Sequence, residues 1–246
     1  MKITRTSILK ILGCLCLSGA LSSASVSAAT EQISPAPVRI GVIGAGWLGG
    51  TVAKLWVAAG HEVMFSSRHP EELKSTVAEL GSKASVGTPL QAAEFGSVLL
   101  FAVPYDALPA LGKDLGNAIK GKVVLDATNP TADSDNALTQ EAKRNGVGAT
   151  SLKYLPGTRL VRAFNSVDAG RIAASANRTA DKLGVGIASD DEQALATAAQ
   201  LVRDAGSEPV ITGDLKSSQG FEDGGPGFRA NTDAAHLRKL LGLNAN

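Results

Sequence analysis

Three glycines at a fixed spacing are the first residues in the chain whose types could do chemistry. Gly44, Gly46 and Gly49 form a Gly-x-Gly-x-x-Gly pattern that also contains Trp47 and Leu48. The pattern follows an apolar strand and opens an amphipathic helix, which is the context in which it binds a dinucleotide pyrophosphate. The first glycine would allow the tight turn, the second would let the backbone approach the phosphates, and the third would let the helix pack closely. The alternative is a glycine-rich turn that binds nothing.

The end of the second predicted strand distinguishes between two dinucleotides. NAD-binding proteins usually place a carboxylate there for the ribose hydroxyls, whereas NADP-binding proteins supply a cation for the 2′-phosphate. Here the residues are Ser66, Ser67 and Arg68, and two hydroxyls beside a planar guanidinium suit a phosphate dianion. The sequence therefore favours NADP as the cofactor. The alternative is that Arg68 is a solvated residue that pairs with Glu71 or Glu72.

Two further apolar runs end in short segments that contain proline. Ala102, Val103 and Pro104 end one run, and residues 126–130 (DATNP) end another. Because ligands of open α/β sheets bind outside the carboxyl ends of the strands, these residues are candidates for lining the cofactor crevice. Each segment could also be a plain strand-ending turn.

Strand and helix patterns alternate along the chain and must position these residues. Apolar runs predict strands at 38–43, 62–66, 84–87, 97–103, 122–127, 159–163, 183–188 and 208–212. Apolar spacing predicts helices after the glycine pattern, at 70–80 and after 189–192, which we interpret as a capping box. Residues 220–227 are typical of a loop and 236–243 of a short final helix. This alternation predicts an α/β fold with a doubly wound, mainly parallel Rossmann-type sheet and a small C-terminal extension.

The first 28 residues differ from the rest of the chain and predict a secretory signal peptide. Lys2, Arg5 and Lys10 precede an apolar run of eleven residues, and residues 26–28 (VSA) fit a cleavage site. The run is shorter than the roughly 20 residues that a membrane-spanning helix needs, so no membrane span is expected after cleavage. The predicted domains are a signal peptide (1–28), a linker (29–37), an NAD(P)-binding Rossmann domain (38–167) and a C-terminal α/β continuation (168–246).

The leader predicts a periplasmic or secreted protein, or a cytoplasmic one if the leader is not used. Both cysteines, Cys14 and Cys16, lie in the leader. Its removal takes away three basic residues and no acidic ones, which leaves 21 basic and 23 acidic residues and a net charge of −2. This balance predicts no nucleic-acid partner. His61, His69 and His236 are isolated, and no spacing predicts a metal site.

Five segments of the chain together resemble one known family. They read VIGAGWLGGTVAKLWVAAGHEVMFSSR, LLFAVP, VVLDATNP, LPGTRLVRAFNSV and GDL. The family is that of the deazaflavin-dependent NADP oxidoreductases, which exchange hydride between NADP and coenzyme F420, and the resemblance runs from Val38 to Glu222. The first three segments are shared with many relatives, including the flavin-using NADPH domains of membrane ferric reductases, whereas VRAFNSV is more specific.

The resemblance implies roles for residues on the nucleotide side of the site. Trp47 and Leu48 would contact the pyrophosphate and ribose, and Ser67 and Arg68 would hold the 2′-phosphate. Residues 102–104 would line the cofactor. The cofactor implied is NADP, and the acceptor implied is a flavin or coenzyme F420.

The resemblance also implies that Ala163, Phe164 and Asn165 flank the nicotinamide and the acceptor ring, with Leu215 near the acceptor. Hydride transfer between two rings needs the reacting carbons stacked in a dry site and needs no nucleophile. Asn165 is the catalytic candidate because its amide could orient the acceptor. The alternative is that Asn165 is a loop residue that satisfies backbone groups.

Two functions remain open on the sequence alone. The first is an NADPH-dependent oxidoreductase that transfers hydride between NADP and a flavin- or deazaflavin-like acceptor. The second is a non-catalytic, exported protein that binds or senses a dinucleotide, since free NADPH and deazaflavin are expected to be scarce outside the cytoplasm. The expected partner is a small-molecule electron acceptor, and assembly into a homodimer is left open.

Overall fold

Strands and helices alternate from Arg39 to Leu240 in the computed structural model, which describes residues 36–130 and 135–244. The predicted signal peptide and most of the predicted linker lie outside the described residues. Across the two described ranges, no helix has the length and apolar character needed to cross a bilayer.

A single sheet organises the described part of the chain. Its strands are β1 (Arg39–Ile43), β2 (Glu62–Ser66), β3 (Ala84–Gly87), β4 (Val98–Phe101), β5 (Val123–Asp126), β6 (Arg159–Arg162), β7 (Gly184–Ala188) and β8 (Glu208–Gly213). They lie in the order β3-β2-β1-β4-β5-β6-β7-β8. Strands β1 to β6 are parallel, β7 is antiparallel to β6, and β8 is parallel to β7. The first six strands have the order of a dinucleotide-binding Rossmann sheet, which confirms the predicted fold class.

Helices connect the strands and cover the sheet. They are α1 (Trp47–Ala58), α2 (Lys74–Ala78), α3 (Pro89–Phe95), α4 (Leu108–Leu115), α5 (Ala137–Asn145), α6 (Val147–Tyr154), α7 (Ala169–Ala176), α8 (Glu192–Asp204) and α9 (Ala234–Leu240). Short 3-10 turns cover Pro70–Leu73, Tyr105–Ala107, Gly116–Ala118 and Leu215–Phe221. The helix predicted at 70–80 is therefore a 3-10 turn followed by the short helix α2.

The continuous apolar run of β4 is explained by burial on both sides of the sheet. Leu100 belongs to an apolar cluster that also contains Trp56 of α1, whereas Leu99 and Phe101 belong to a second cluster that contains Leu108 of α4. A strand that is covered on both faces has no solvent-facing positions and so no alternation of polar residues. The carboxyl ends of β1, β4, β5 and β6 consequently meet at one edge, from which the candidate residues emerge.

The start of α8 differs from the prediction. Ser189 is buried at the end of β7, and its hydroxyl donates to the carbonyl oxygen of Leu160 at 2.7 Å. Asp191 is the N-cap instead, because its carboxylate accepts from the backbone N–H of Ala194 at 2.9 Å. The predicted capping box is therefore wrong, because the Ser189 hydroxyl donates to β6 and the Asp191 carboxylate caps the helix instead.

His61 has the structural surroundings that its position between α1 and β2 suggests. Its Nδ1 accepts from the backbone N–H of Val38 at 3.1 Å, and its Nε2 lies 3.0 Å from a carboxylate oxygen of Asp204 on α8. Because Nδ1 is an acceptor, the ring proton is on Nε2 and is donated to the carboxylate. The imidazole thus joins the start of β1 to the end of α8.

Candidate dinucleotide and acceptor site

The glycine turn after β1 is held against the end of β2. Gly44 has a φ of +96°, in the left-handed region that favours glycine. The N–H groups of Gly44 and Ala45 donate to the carbonyl oxygen of Ser66 at 3.2 and 2.8 Å. The buried Ser66 hydroxyl donates to the carbonyl oxygen of Val42 at 2.6 Å. Ser66, predicted as a phosphate contact, therefore uses its side chain to join β2 to β1.

The other glycines of the pattern differ in what surrounds them. A Cβ added to Gly49 would lie 3.0 Å from the Cβ of Ala102 and would collide with the Gly44 carbonyl, so this glycine allows α1 to pack against the turn. A Cβ added to Gly46 would meet no heavy atom of the described residues within 4 Å. Gly46 is also the N-cap of α1 and supplies no side-chain cap for the first N–H groups of that helix. Open space beside uncapped helix N–H groups fits the pyrophosphate of a dinucleotide.

Ser67 and Arg68 follow β2 at the protein surface. The Ser67 hydroxyl accepts from the backbone N–H of His69 at 2.9 Å, which leaves its own proton available for donation. Arg68 is exposed and forms no ion pair with any residue in the described ranges, so the alternative pairing with Glu71 or Glu72 is not present. His69, predicted to be isolated, instead places Nδ1 3.6 Å from a carboxylate oxygen of Glu71. An unpaired guanidinium beside a free hydroxyl proton fits a 2′-phosphate.

Residues 102–104 lie where the sequence placed them, directly beyond β4. The backbone N–H of Ala102 donates to the carbonyl oxygen of Ile43 at 2.9 Å, so this segment runs beside the glycine turn. Ala102 and Val103 are half-buried and Pro104 is exposed. The half-buried Leu48 packs at the edge of the larger apolar cluster. This segment and the glycine turn thus border the same crevice between β1 and β4.

The segment after β6 turns sharply inward. Ala163 is buried, and its backbone N–H donates to the carbonyl oxygen of Asp126 at 3.2 Å. Phe164 has a φ of +62°, and its fully buried ring packs edge-on against Trp56 with 6.1 Å between centroids. The Phe164 ring, expected to flank the reacting rings, is therefore part of the apolar core. Leu215, expected near the acceptor, is also buried.

Asn165 links three segments at the carboxyl edge of the sheet. Its amide nitrogen donates to the carbonyl oxygen of Phe221 at 3.2 Å and lies 3.4 Å from Oδ1 of Asn129. The Asn129 amide donates in return to the carbonyl oxygen of Asn165 at 2.7 Å. Asn165 is only 5% exposed. Its amide nitrogen satisfies a backbone carbonyl, whereas its Oδ1 has no hydrogen-bond partner among the described residues. The side chain thus fixes the loops after β5 and β6 to the turn that ends at Phe221.

A buried set of charges that the sequence analysis missed lies beneath these loops. Arg162 and Asp126 are fully buried, with 2.7 Å between Nη1 and Oδ2. The Arg162 Nε lies 3.3 Å from Oε1 of Glu222, and its Nη2 lies 3.4 Å from Oδ1 of Asn129. The hydroxyl of Ser218 donates to the same oxygen of Glu222 at 2.6 Å. The sequence signal that could have indicated this cluster is a charged residue at the end of each of two largely apolar strands, Asp126 in β5 and Arg162 in β6.

The electrostatics of this charge cluster keep the arginine protonated. Burial lowers the pKa of Arg162, but the attraction of Asp126 and Glu222 outweighs burial and raises the pKa above its ordinary value. Burial raises the pKa of the nearby Tyr105 hydroxyl to about 12. The cluster is therefore a fixed set of charges and dipoles, and what it can do chemically is position the loops that carry Asn129 and Asn165.

Comparison with known proteins connects this geometry to one family. The family described as NADP oxidoreductase, coenzyme F420-dependent, matches residues 39–130. The F420-dependent NADP reductase of Methanothermobacter marburgensis is 31% identical over 181 residues, which cover 67% of this chain and 78% of the reductase. The rat metalloreductase STEAP3 is 26% identical over 187 residues, which cover 75% of this chain. The chain matches only 36% of the length of that rat protein.

Solved structures support the same fold. The hypothetical protein SMa0349 of Sinorhizobium meliloti superposes with a TM-score of 0.62 at 24% sequence identity, covering 80% of this chain and 92% of that protein. At this identity the likeness concerns the fold alone. Sequence similarity over more than three quarters of the archaeal reductase settles the family. The chain therefore belongs to the coenzyme F420-dependent NADP oxidoreductases and is an NADP-dependent oxidoreductase.

Proposed function

We propose that the protein transfers hydride between NADPH and a flavin- or deazaflavin-like acceptor at the carboxyl edge of β4 to β6. The observation that carries the proposal combines open space at Gly46, an uncapped α1 N-terminus and an Arg68 without an ion pair in the part of the chain that the structure describes. These features match the pyrophosphate and the 2′-phosphate of one ligand. Bound NADPH supplies the hydride.

The chain's own residues would bind and orient the two ligands. The first N–H groups of α1 would hold the pyrophosphate, and Ser67 and Arg68 would hold the 2′-phosphate. Residues 102–104 would line the nicotinamide end, and the fully buried Ala163 would support that edge through its backbone bond to Asp126. Asn165 would act through the loops that it fixes, because orientation of two rings in a water-poor site is what hydride transfer requires.

The proposal also concerns the identity of the electron acceptor. We favour a deazaflavin such as coenzyme F420, because the archaeal relative is named for it. A metal ion, as in the name of the rat relative, is a less direct acceptor. Hydride carries two electrons and a ferric ion takes one, so a flavin would have to act between NADPH and the metal.

The test is a binding titration of residues 29–246 with NADPH and NADH. We expect tighter NADPH binding, and we expect Arg68→Ala to weaken it by about tenfold or more, since a charge-assisted contact contributes roughly 1.5–3 kcal/mol. Arg203→Ala, an exposed arginine on α8, is the control and should leave affinity unchanged. Equal NADPH affinity in the Arg68 variant and the wild type would overturn the assignment of the phosphate site.

Turnover then separates catalysis from binding alone. NADPH oxidation is followed with coenzyme F420, FMN and FAD as acceptors, and with ferric citrate in the presence of FMN. Turnover with coenzyme F420 supports the proposal. NADPH binding without turnover on any acceptor would instead support an exported protein that binds or senses the dinucleotide.

We also propose that residues 1–28 are removed during export, on the basis of their composition. N-terminal sequencing of the protein purified from the periplasm tests this. A mature N-terminus at residue 29 is expected, and an intact Met1 in cytoplasmic protein would contradict export.

A further inference from the structure

A groove of about 360 Å³ separates the N-terminus of α1 from the first turns of α7. It is lined by Trp47, Asp168, Gly170, Arg171, Ala174 and Arg229. The Trp47 side chain is 77% exposed, although tryptophan is a large apolar residue. Along the wall formed by α7, Gly170 has no side chain and Ala174 has only a methyl group. An exposed indole beside small residues leaves room for a planar ligand.

The groove has more positive than negative charge. The Arg229 guanidinium lies 2.9 Å from Oδ1 of Asp168. The other oxygen of Asp168 accepts from the Asn231 amide at 2.7 Å. Arg171 is exposed and has no ion pair with any residue of the described ranges. Because Asp168 is already paired, the charge of Arg171 is left for an anionic ligand.

The loop that supplies Arg229 is hydrogen-bonded to the segment that follows β6. Arg229 and Asn231 both have left-handed backbones, with φ of +51° and +48°. Such strain in residues other than glycine persists only where contacts enforce it. Here the Arg229 N–H donates to the carbonyl oxygen of Ser166 at 2.9 Å, and Oδ1 of Asn231 accepts from the N–H of Asp168 at 3.1 Å. The groove is therefore anchored to the segment that follows β6.

Trp47 also lines a second cavity of about 160 Å³. That cavity is bordered by the glycine turn, α1, β2, the 3-10 turn Pro70–Leu73 and α2, and its lining includes Gly46 and Phe65. It therefore lies toward the strand whose end carries Ser67 and Arg68, which we assign to NADPH. The α7 groove lies toward β6, on the side where the acceptor is expected.

We propose that the α7 groove binds a phosphoryl group on the side chain of the acceptor, with Arg171 as the main cation. The Trp47 indole, for which the family resemblance implied a contact to the NADP pyrophosphate and ribose, would instead lie against the ring system that carries that side chain. This inference rests on the proposed function, since it assumes an acceptor bound beside β6. Its chemical consequence is a preference for phosphorylated ring acceptors over neutral ones. Guanidinium groups favour phosphoryl oxygens because they donate two parallel hydrogen bonds.

The experiment compares FMN with riboflavin, which share one ring system and differ by a single phosphoryl group. Their dissociation constants are measured calorimetrically on the protein saturated with NADP+, and kcat/KM is measured with NADPH. Wild-type protein should bind FMN more tightly than riboflavin. Arg171→Ala should reduce the ratio of the two affinities by about fivefold to tenfold, mostly by weakening FMN binding. Arg171→Lys should retain part of the preference, and Arg203→Ala should retain all of it.

The outcomes separate this inference from the proposed function. An Arg171→Ala variant that keeps the FMN preference, or that loses NADPH affinity instead, overturns the assignment of the groove to the acceptor. Absence of FMN binding at millimolar concentration overturns it as well. Selective FMN binding without turnover would leave the groove supported while contradicting catalysis with flavins.

Discussion

Asp126 and Arg162 are register partners at the ends of β5 and β6, and they form an ion pair of 2.7 Å with both side chains fully buried. The same arginine reaches Glu222, which lies directly after the 3-10 turn Leu215–Phe221. Three segments distant in sequence are thus joined below the candidate site. Because Arg162 also contacts Asn129, whose amide bonds to the segment after β6, the ion pair fixes the edge on which both ligands would be oriented.

Removal of the Arg162 charge should strongly destabilise the fold. Arg162→Met leaves the carboxylates of Asp126 and Glu222 buried without their cation, and breaking such a pair costs about 3–5 kcal/mol. Urea denaturation measures the free energy of unfolding. Arg159→Ala on the same strand is the matched control, since Arg159 pairs with Asp191 at a partly exposed position and its loss should have a much smaller effect. Equal losses in the two variants would contradict a special role for the buried pair.

The alternation of strands and helices could be predicted because burial on both faces leaves continuous apolar runs in the sequence. The glycine pattern could be placed for a similar reason, since its position between a strand and a helix is local. The Asp126–Arg162 pair could not be predicted, because it depends on the register between strands separated by two helices. The sequence identifies Asn165 as a candidate residue. Its hydrogen-bond partners, Asn129 and the Phe221 carbonyl oxygen, could not be predicted because they lie in segments without a periodic pattern.

Ser66 and Ser189 depart from their predicted roles for a common physical cause. The local patterns predict that Ser66 contacts a phosphate and that Ser189 caps a helix. Both hydroxyls are instead buried and bonded to carbonyl oxygens of neighbouring strands. The pairing of strands decides which hydroxyls are already used, and a local pattern does not contain that information. Arg171 on α7 and Arg229 on the loop before α9 could not be grouped from the sequence for a related reason, since only the fold brings them to the same groove.

Tyr105 should make stability fall at alkaline pH. Burial raises its pKa to about 12 in the folded protein, while the unfolded chain titrates near the ordinary value of about 10. The stabilisation is fully present below about pH 10 and is lost as pH rises toward 12, because only the unfolded chain releases the proton in that window.

The comparison of wild type with Tyr105→Phe isolates this effect. At pH 8 the variant lacks the hydrogen bond from the phenol to the Val147 carbonyl oxygen and should be less stable by about 1 kcal/mol. That difference should shrink, and can reverse in sign, between pH 10 and about 11.5. Tyr154→Phe controls for loss of a tyrosine hydroxyl. If the difference in stability between wild type and Tyr105→Phe stayed constant across this pH range, the phenol would titrate alike in the folded and unfolded chains, which would contradict the prediction.

Alanine at two of the glycines should separate folding from binding. Gly49→Ala places a Cβ against the Gly44 carbonyl and 3.0 Å from the Cβ of Ala102, and such overpacking costs roughly 1–3 kcal/mol. Gly46→Ala places its Cβ in open space, so the melting temperature should be close to that of the wild type. The added methyl group should nevertheless lower NADPH affinity by about tenfold or more, because it fills the space assigned to the pyrophosphate. Thermal melts and NADPH titrations check both; unchanged affinity in Gly46→Ala would place the phosphates elsewhere.

Replacement of Ser66 and Ser67, the neighbouring serines at the end of β2, should affect stability and NADPH binding differently. Ser66→Ala removes the buried hydrogen bond to the Val42 carbonyl oxygen, so stability should fall by about 1 kcal/mol while NADPH affinity is retained. Ser67→Ala removes a hydroxyl whose proton faces no acceptor among the described residues. Because water can replace the lost bond to the exposed His69 N–H, stability should change little. The variant should weaken NADPH binding by about threefold to tenfold, with no effect on NADH binding, because NADH lacks the 2′-phosphate. Paired urea denaturation and nucleotide titrations measure both variants. If Ser66→Ala weakened NADPH selectively, the phosphate would have to reach into the sheet, and the assignment of Ser67 and Arg68 would be wrong.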